Sequence, residues 1–277
     1  MTLVRVERPA DGVARLVLAR PEKRNAQSPE LLYELDGRLL EATNDASVRV
    51  IVLAADGPDF SSGHDLHAGF YVPCDPVATM GGHLDAGGVE GHYAFECESY
   101  LGLSRRWRDL PKPTIAQVQG RTIAGGLMLV WPMDIVVAAE DATFADPVTA
   151  FGVNGVEYFT HLWEVGHRKA KEMLFTGDSI SAPDAQRLGM VNQVVPAADL
   201  EAATLDLAVR IAQRPAFGLR LAKESVNRSL DAQGQSVALD SALALHNLGH
   251  AANLARHGEL APTDGAAAIR AASRRTS

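Results

Sequence analysis

The segment Phe60-Ser61-Ser62-Gly63-His64-Asp65-Leu66 follows an apolar run, Val48–Ala54, and has the composition of a turn whose backbone N–H groups stay unpaired. Its small side chains let a ligand approach those groups, and a helix starting there would add its positive end. A second turn of the same kind, Ala124-Gly125-Gly126, follows the strand pattern that ends at Gly120 and precedes an apolar stretch suited to a buried helix. Two such turns converging on one oxygen would form an oxyanion hole, able to stabilise an enolate or a tetrahedral intermediate. Close helix packing also explains a Gly–Gly pair, so neither turn alone fixes the chemistry.

Other chemistries find less support. His64 and His67 stand three apart with no third ligand beyond Asp65, and the remaining histidines are scattered, so no metal is expected. There is no GxSxG elbow for a Ser-His-Asp site, and the glycine pairs do not form GxGxxG after a strand. Cys74 and Cys97 lie far apart outside any CxxC, which fits a reducing cytoplasm. The opening MTLVRVERPADG lacks the apolar run of a signal peptide, and Gly125 to Ala139, broken by Pro132 and Asp134, is too short to span a bilayer. The net charge of -8 argues against nucleic acid as the main partner. The expectation is a protein of the cytoplasm with no nucleic-acid or membrane partner.

The elements that must position these turns follow from hydrophobic patterning. The runs Val13–Leu18, Val48–Ala54, Thr114–Val118, Ile135–Ala139 and Val191–Val195 read as strands. Helical patterns alternate with them, over Pro29–Glu41 and Tyr93–Leu110, which gives an α/β core. After Pro196 the strand signals stop, and Asp199, Pro215 and Asp264 stand where helices could begin. Residues 1–200 are expected to form the core and 201–277 a helical region, with the change between about residues 196 and 215. Leu219, Leu221, Val226, Leu239, Leu243, Leu245 and Leu248 are too many apolar positions for a thin helical layer and imply burial against the core or another subunit. Tyr71–Gly91 reads as a loop.

The order of motifs is specific: RPEKRNAQS, FSSGHDL, PKPTIAQVQGRTIAGGLML, DATFADP and MLFTGDSISAPDAQRLGMVNQVVP. It resembles the crotonase (enoyl-CoA hydratase/isomerase) superfamily from about residue 13 to the C-terminal DGAAAIRAASRR. The resemblance implies a core of spiralling ββα units, C-terminal helices that assemble homotrimers or hexamers built as dimers of trimers, and an acyl-CoA substrate. No cofactor is implied beyond the coenzyme A of that thioester. By matching glycines, the oxyanion-hole N–H groups fall on His64 and Gly125. The coenzyme A-binding set implied is Arg24, Ala26, Ser62, Asp65, Leu66 and Gly126, with Arg24 a phosphate partner, and Arg274 or Arg275 reaching a neighbouring subunit's ligand.

The two glutamates used by hydratases of this family fall on Met128 and Val148, and neither residue can move a proton. Other members place one carboxylate after the glycine that is here Gly152. In FGVNGVEYFTHLWEVG the usual register falls on Val156, with Glu157 one step beyond, and a shifted register makes Glu157 the acid/base candidate. Around the cavity such a fold would form, His64 could turn to the site or to solvent, and Asp65 is expected to cap a following helix. Glu96 and Tyr100 share a helix face and either could supply a proton donor, one of Glu96 and Glu98 is expected to be exposed, and Asp146 is either another carboxylate near the lost glutamate position or a turn residue. Tyr71, Tyr93, Tyr158, Phe159 and Trp163 would permit a bulky acyl group. Isomerisation, decarboxylation, C–C cleavage and thioester hydrolysis compete with hydration. The alternative is a protein that binds acyl-CoA without chemistry; an assembly scaffold is a third reading.

Overall fold

The computed structural model describes residues 2–73, 82–262, 264, 265 and 269. Nine strands are assigned among them: β1 (Val4–Ala10), β2 (Val13–Leu18), β3 (Val50–Ala55), β4 (Thr114–Val118), β5 (Arg121–Ile123), β6 (Ile135–Ala139), β7 (Thr143–Ala145), β8 (Ile180–Ser181) and β9 (Gln193–Val195). Six form one sheet in the order β1-β2-β3-β4-β6-β9, parallel except for the antiparallel edge β1, and β5-β7-β8 form a smaller second sheet. The helices are α1 (Pro29–Asn44), α2 (Gly88–Phe95), α3 (Leu103–Arg108), α4 (Leu127–Val130), α5 (His161–Thr176), α6 (Ala182–Leu188), α7 (Leu200–Ala212), α8 (Ala216–Ala232) and α9 (Gln235–His257).

The large sheet is covered on both faces, which is why its strands read as continuous apolar runs. Leu16, Leu18, Ile51 and Leu53 pack with Leu31, Leu35 and Leu39 of α1 on one side. Val13, Val50, Val52, Ile115 and Val137 meet Leu200 and Ala208 of α7 on the other. Helix α1 starts where Ser28 Oγ accepts the Leu31 N–H, with Pro29 in the first turn. Helix α7 lies on the sheet, and α8 and α9 follow it along the chain. Edge strand β1 has no counterpart in the sequence reading. Its alternation leaves Arg5 and Glu7 paired with each other on the open side, and Pro9 weakens the strand signal.

The expected helix over Tyr93–Leu110 begins earlier, at Gly88, so the end of the expected loop is already helical. It runs to Arg108 through a π-helical stretch, Glu96–Gly102. Such stretches are rare and concentrate at functional sites. Residues 74–81, with Cys74, and Arg274 and Arg275 lie outside the described residues. Among the described residues no helix is long and apolar enough to cross a membrane.

Candidate active site

Backbone hydrogen bonds lace residues 24–27 to the first glycine turn: Ser62 N–H to Arg24 O at 2.9 Å, Gln27 N–H to Gly63 O at 2.8 Å and Asp65 N–H to Gln27 O at 2.9 Å. This bridge uses the carbonyl before His64 and the N–H after it, so the His64 N–H has no partner among the described residues. The second turn is a single 3-10 turn, Ala124–Gly126, between β5 and α4. As its second residue, Gly125 has an N–H without an intrahelical acceptor. The Ile123 N–H to Ser61 O bond (3.0 Å) ties the turns together. Gly63, at φ +89°, permits their close approach: a Cβ there would lie 2.8 Å from Ile123 O and 3.2 Å from Gly125 N. Gln27, absent from the sequence-derived site, fixes the second turn by donating Nε2–H to Gly125 O at 2.6 Å.

The His64 side chain turns inward and is only 18% exposed. Its ring lies against Gly125, where a Cβ would meet ring atoms at 2.6–2.9 Å, and stacks on Tyr100 with centroids 3.9 Å apart. Its Nε2 is 3.2 Å from Glu157 Oε2. Glu157 is 5% exposed, whereas Val156 at the usual register is buried in the apolar core. Met128 and Val148 are likewise core side chains. Burial pushes the Glu157 carboxyl up, but the charges of His64 and His246 and the His64 hydrogen bond outweigh this and hold it below the usual carboxylate range. It is therefore ionised at neutral pH and able to accept a proton or attack a carbon. Burial pushes the Tyr100 hydroxyl well above its ordinary value, so it stays protonated.

The loop that aims Glu157 hangs on Asp146. That fully buried carboxylate accepts the Val156 N–H at 2.9 Å and the Val148 N–H at 3.4 Å, and lies 2.8 Å from His161 Nε2. Asp146→Ala would strand these buried donors, so a loss of about 3 kcal/mol of stability is expected. Chemical denaturation measures it directly; an unchanged midpoint would show that Asp146 does not hold the loop.

Behind Glu157 lies a second polar layer that the sequence reading missed. His246 Nε2 is 3.5 Å from Glu157 Oε1 and 3.5 Å from Glu96 Oε1. His92 and His250 also face Glu96. Burial pushes Glu96 up, yet the imidazoles around it hold it well below the ordinary range; burial pushes His246 down, and the two carboxylates raise it to about 9. The signal available was the i,i+4 spacing of His92 with Glu96 and of His246 with His250, but only the fold shows that the two pairs meet. Glu96 and Glu98 are both buried, against the expectation that one would be exposed. Glu98 faces Tyr33 of α1 instead of the site.

The coenzyme A-binding candidates sit at or beside the two glycine turns. Arg24 has a 60% exposed side chain 3.7 Å from Asp59, Leu66 is 62% exposed, and Ser62 reaches Lys23 O. Ala26 is buried, and Gly126 packs where a Cβ would meet Ser61 O. Asp65 does not cap a helix, because a single turn follows it; its oxygens bind Arg20 at 2.8 Å and the His67 N–H at 3.1 Å. Tyr158 lies in the apolar core rather than on a site surface.

Residues 8–256 match the family model described as enoyl-CoA hydratase/isomerase. The provisionally named enoyl-CoA hydratase EchA13 of Mycobacterium tuberculosis is 45% identical over 256 residues, covering 90% of this chain and 80% of that protein. A crystal structure of a probable enoyl-CoA hydratase from Mycobacterium smegmatis superposes with a TM-score of 0.86 at 44% identity, over 95% of this chain and all of that one. The 4-chlorobenzoyl coenzyme A dehalogenase-2 of an Arthrobacter species is 31% identical over 233 residues, 83% of this chain and 78% of that protein. With this family match and the crotonase fold of its structural neighbours, the chain belongs to the enoyl-CoA hydratase/isomerase family of acyl-CoA enzymes.

Proposed function

We propose that the protein polarises an acyl-CoA thioester carbonyl between the N–H groups of His64 and Gly125 and moves a proton at the acidified carbon with Glu157. The observation that carries this reading is the buried Glu157 carboxylate held 3.2 Å from His64 beside Gly125. Two N–H donors aimed at a carbonyl stabilise the enolate that forms when the neighbouring carbon loses a proton. Glu157 takes that proton and can return it to a different carbon. A single carboxylate suffices for such a double-bond isomerisation, whereas the two-glutamate route to hydration lacks both of its groups at Met128 and Val148. The relative named as a 4-chlorobenzoyl coenzyme A dehalogenase supports a family site adapted to reactions other than hydration. Arg24, exposed at the rim of the first turn, is the proposed phosphate contact for coenzyme A.

A mass-spectrometric screen against enoyl-, β-keto- and hydroxyacyl-CoA thioesters, with crotonyl-CoA as reference, tests this. The expected result is turnover of at least one thioester with slow or absent hydration of crotonyl-CoA. Binding of coenzyme A with no turnover across the panel would instead establish a binding protein without chemistry.

The proposal includes assembly as a homotrimer or a dimer of trimers. Helix α8 buries no side chain of its own and exposes Phe217, Leu221 and Val226, while α9 exposes Val237, Leu245 and Leu248. An apolar surface of this extent calls for a partner. Sedimentation velocity is expected to give the mass of three or six chains, and Phe217→Lys with Leu248→Lys to reduce it. A monomeric wild-type protein would refute the assembly.

A further inference from the structure

We propose that His92, Glu96 and His250 form a binding site for a divalent transition-metal ion of the zinc class, joining helix α2 to helix α9. His92 and Glu96 stand one helical turn apart, as do His246 and His250 on the helix that crosses them. The Nε2 atoms of His92 and His250 lie 2.9 and 3.2 Å from one oxygen, Glu96 Oε1, and the three atoms are within 4.8 Å of one another. All three residues are buried, at 6%, 1% and 6% exposure.

The hydrogen-bond geometry leaves ring nitrogens facing the cluster. His250 Nδ1 lies 2.8 Å from Leu260 O, and a carbonyl can only accept, so this nitrogen carries the hydrogen. In the neutral ring Nε2 is then a lone pair facing a carboxylate oxygen. His246 is fixed the same way by Gly155 O at 2.8 Å. The His92 Nε2 is aimed into the cluster at Glu96 Oε1, and its Nδ1 has no hydrogen-bond partner among the described residues. An ion between them would use the Nε2 lone pairs of His92 and His250 together with Glu96 Oε1.

The surroundings match those of metal ligands. Backbone carbonyls that hold the far nitrogen of an imidazole, and an amide that holds the second carboxylate oxygen, are the usual outer partners of a metal site. Here Asn247 Nδ2 donates to Glu96 Oε2 at 2.7 Å. Tetrahedral zinc with ligands at about 2.0–2.1 Å places donor atoms about 3.3 Å apart, close to the 2.9 and 3.2 Å observed. Two imidazoles and one carboxylate favour zinc over calcium or magnesium. The residue next to the site, His246, also touches Glu157, so an ion here would stand one side chain behind the reactive carboxylate.

The sequence reading expected no metal because the histidines are scattered; the crossing of α2 and α9 removes that premise. The test is zinc content of the full-length protein by plasma mass spectrometry, after chelator treatment, re-equilibration with micromolar zinc and desalting. About one zinc per chain is expected, with at least tenfold weaker binding in His92→Leu and in Glu96→Gln and about tenfold weaker in Asn247→Ala. His67→Ala, which alters an exposed histidine, should leave the content unchanged. His92→Leu keeps an apolar side chain in the buried position, and circular dichroism confirms that each variant is folded before its zinc is counted. Folded wild-type protein that retains less than about a tenth of an equivalent, or an equivalent that persists in both ligand variants, overturns the proposal. Zinc content is read without any thioester, so its outcome is independent of the role of Glu157.

Discussion

Glu157→Gln is expected to lower turnover of the preferred acyl-CoA by about 10²-fold or more, the usual contribution of a positioned acid/base group. The amide keeps the shape of the side chain and one oxygen able to accept from His64 Nε2, so the geometry at 3.2 Å is largely retained while proton transfer is lost. Because Glu157 touches His64 and His246 and not the expected coenzyme A contacts, KM should change far less than kcat. Removing a buried charge between two histidines can also change stability, and a thermal melt run beside the assay separates the two effects. An unchanged rate in a folded variant would exclude Glu157 from the chemistry.

Substitution of Gly125 is expected to act through two separable causes. Gly125→Pro deletes the N–H that would hold the oxyanion, a loss of about 3 kcal/mol in transition-state stabilisation. It also adds atoms where the His64 ring lies, since a Cβ there comes within 2.6–2.9 Å of ring atoms. Gly125→Ala keeps the N–H and introduces only the second fault, displacing the imidazole from Tyr100 and Glu157. The expected order of kcat is wild type, then Gly125→Ala, then Gly125→Pro, with circular dichroism confirming that each variant folds. Full activity of a folded Gly125→Pro protein would show that the carbonyl is not held at this turn.

Much of this was legible along the chain, for reasons that are local. Strands β3 and β6 carry continuous apolar runs because the sheet is covered on both faces. Both glycine turns are written in small residues whose role is set by backbone geometry. Strand β1 buries only Val4 fully and leaves Val6 exposed, so it carries little apolar signal. The helix expected after the first turn does not form, because residues 62–65 are committed to hydrogen bonds with residues 24–27. The inward turn of His64 depends on Tyr100 and Gly125, which arrive from distant segments, and so does its pairing with Glu157. The cluster around Glu96 is more remote still, since His246 and His250 lie some 150 residues further along the chain. Periodicity can place such residues on helix faces; only the crossing of helices decides which faces meet.

Hydrogen exchange at carbon tests the central claim most directly. Each thioester of the panel is incubated with wild-type or Glu157→Gln protein in deuterium oxide and its mass followed with time. If the carbonyl is polarised and Glu157 moves the proton, wild-type protein incorporates deuterium next to the carbonyl or along the shifted double bond, and Glu157→Gln slows incorporation by about 10²-fold. Equal incorporation by the two proteins, or none with any thioester that binds, would contradict the account.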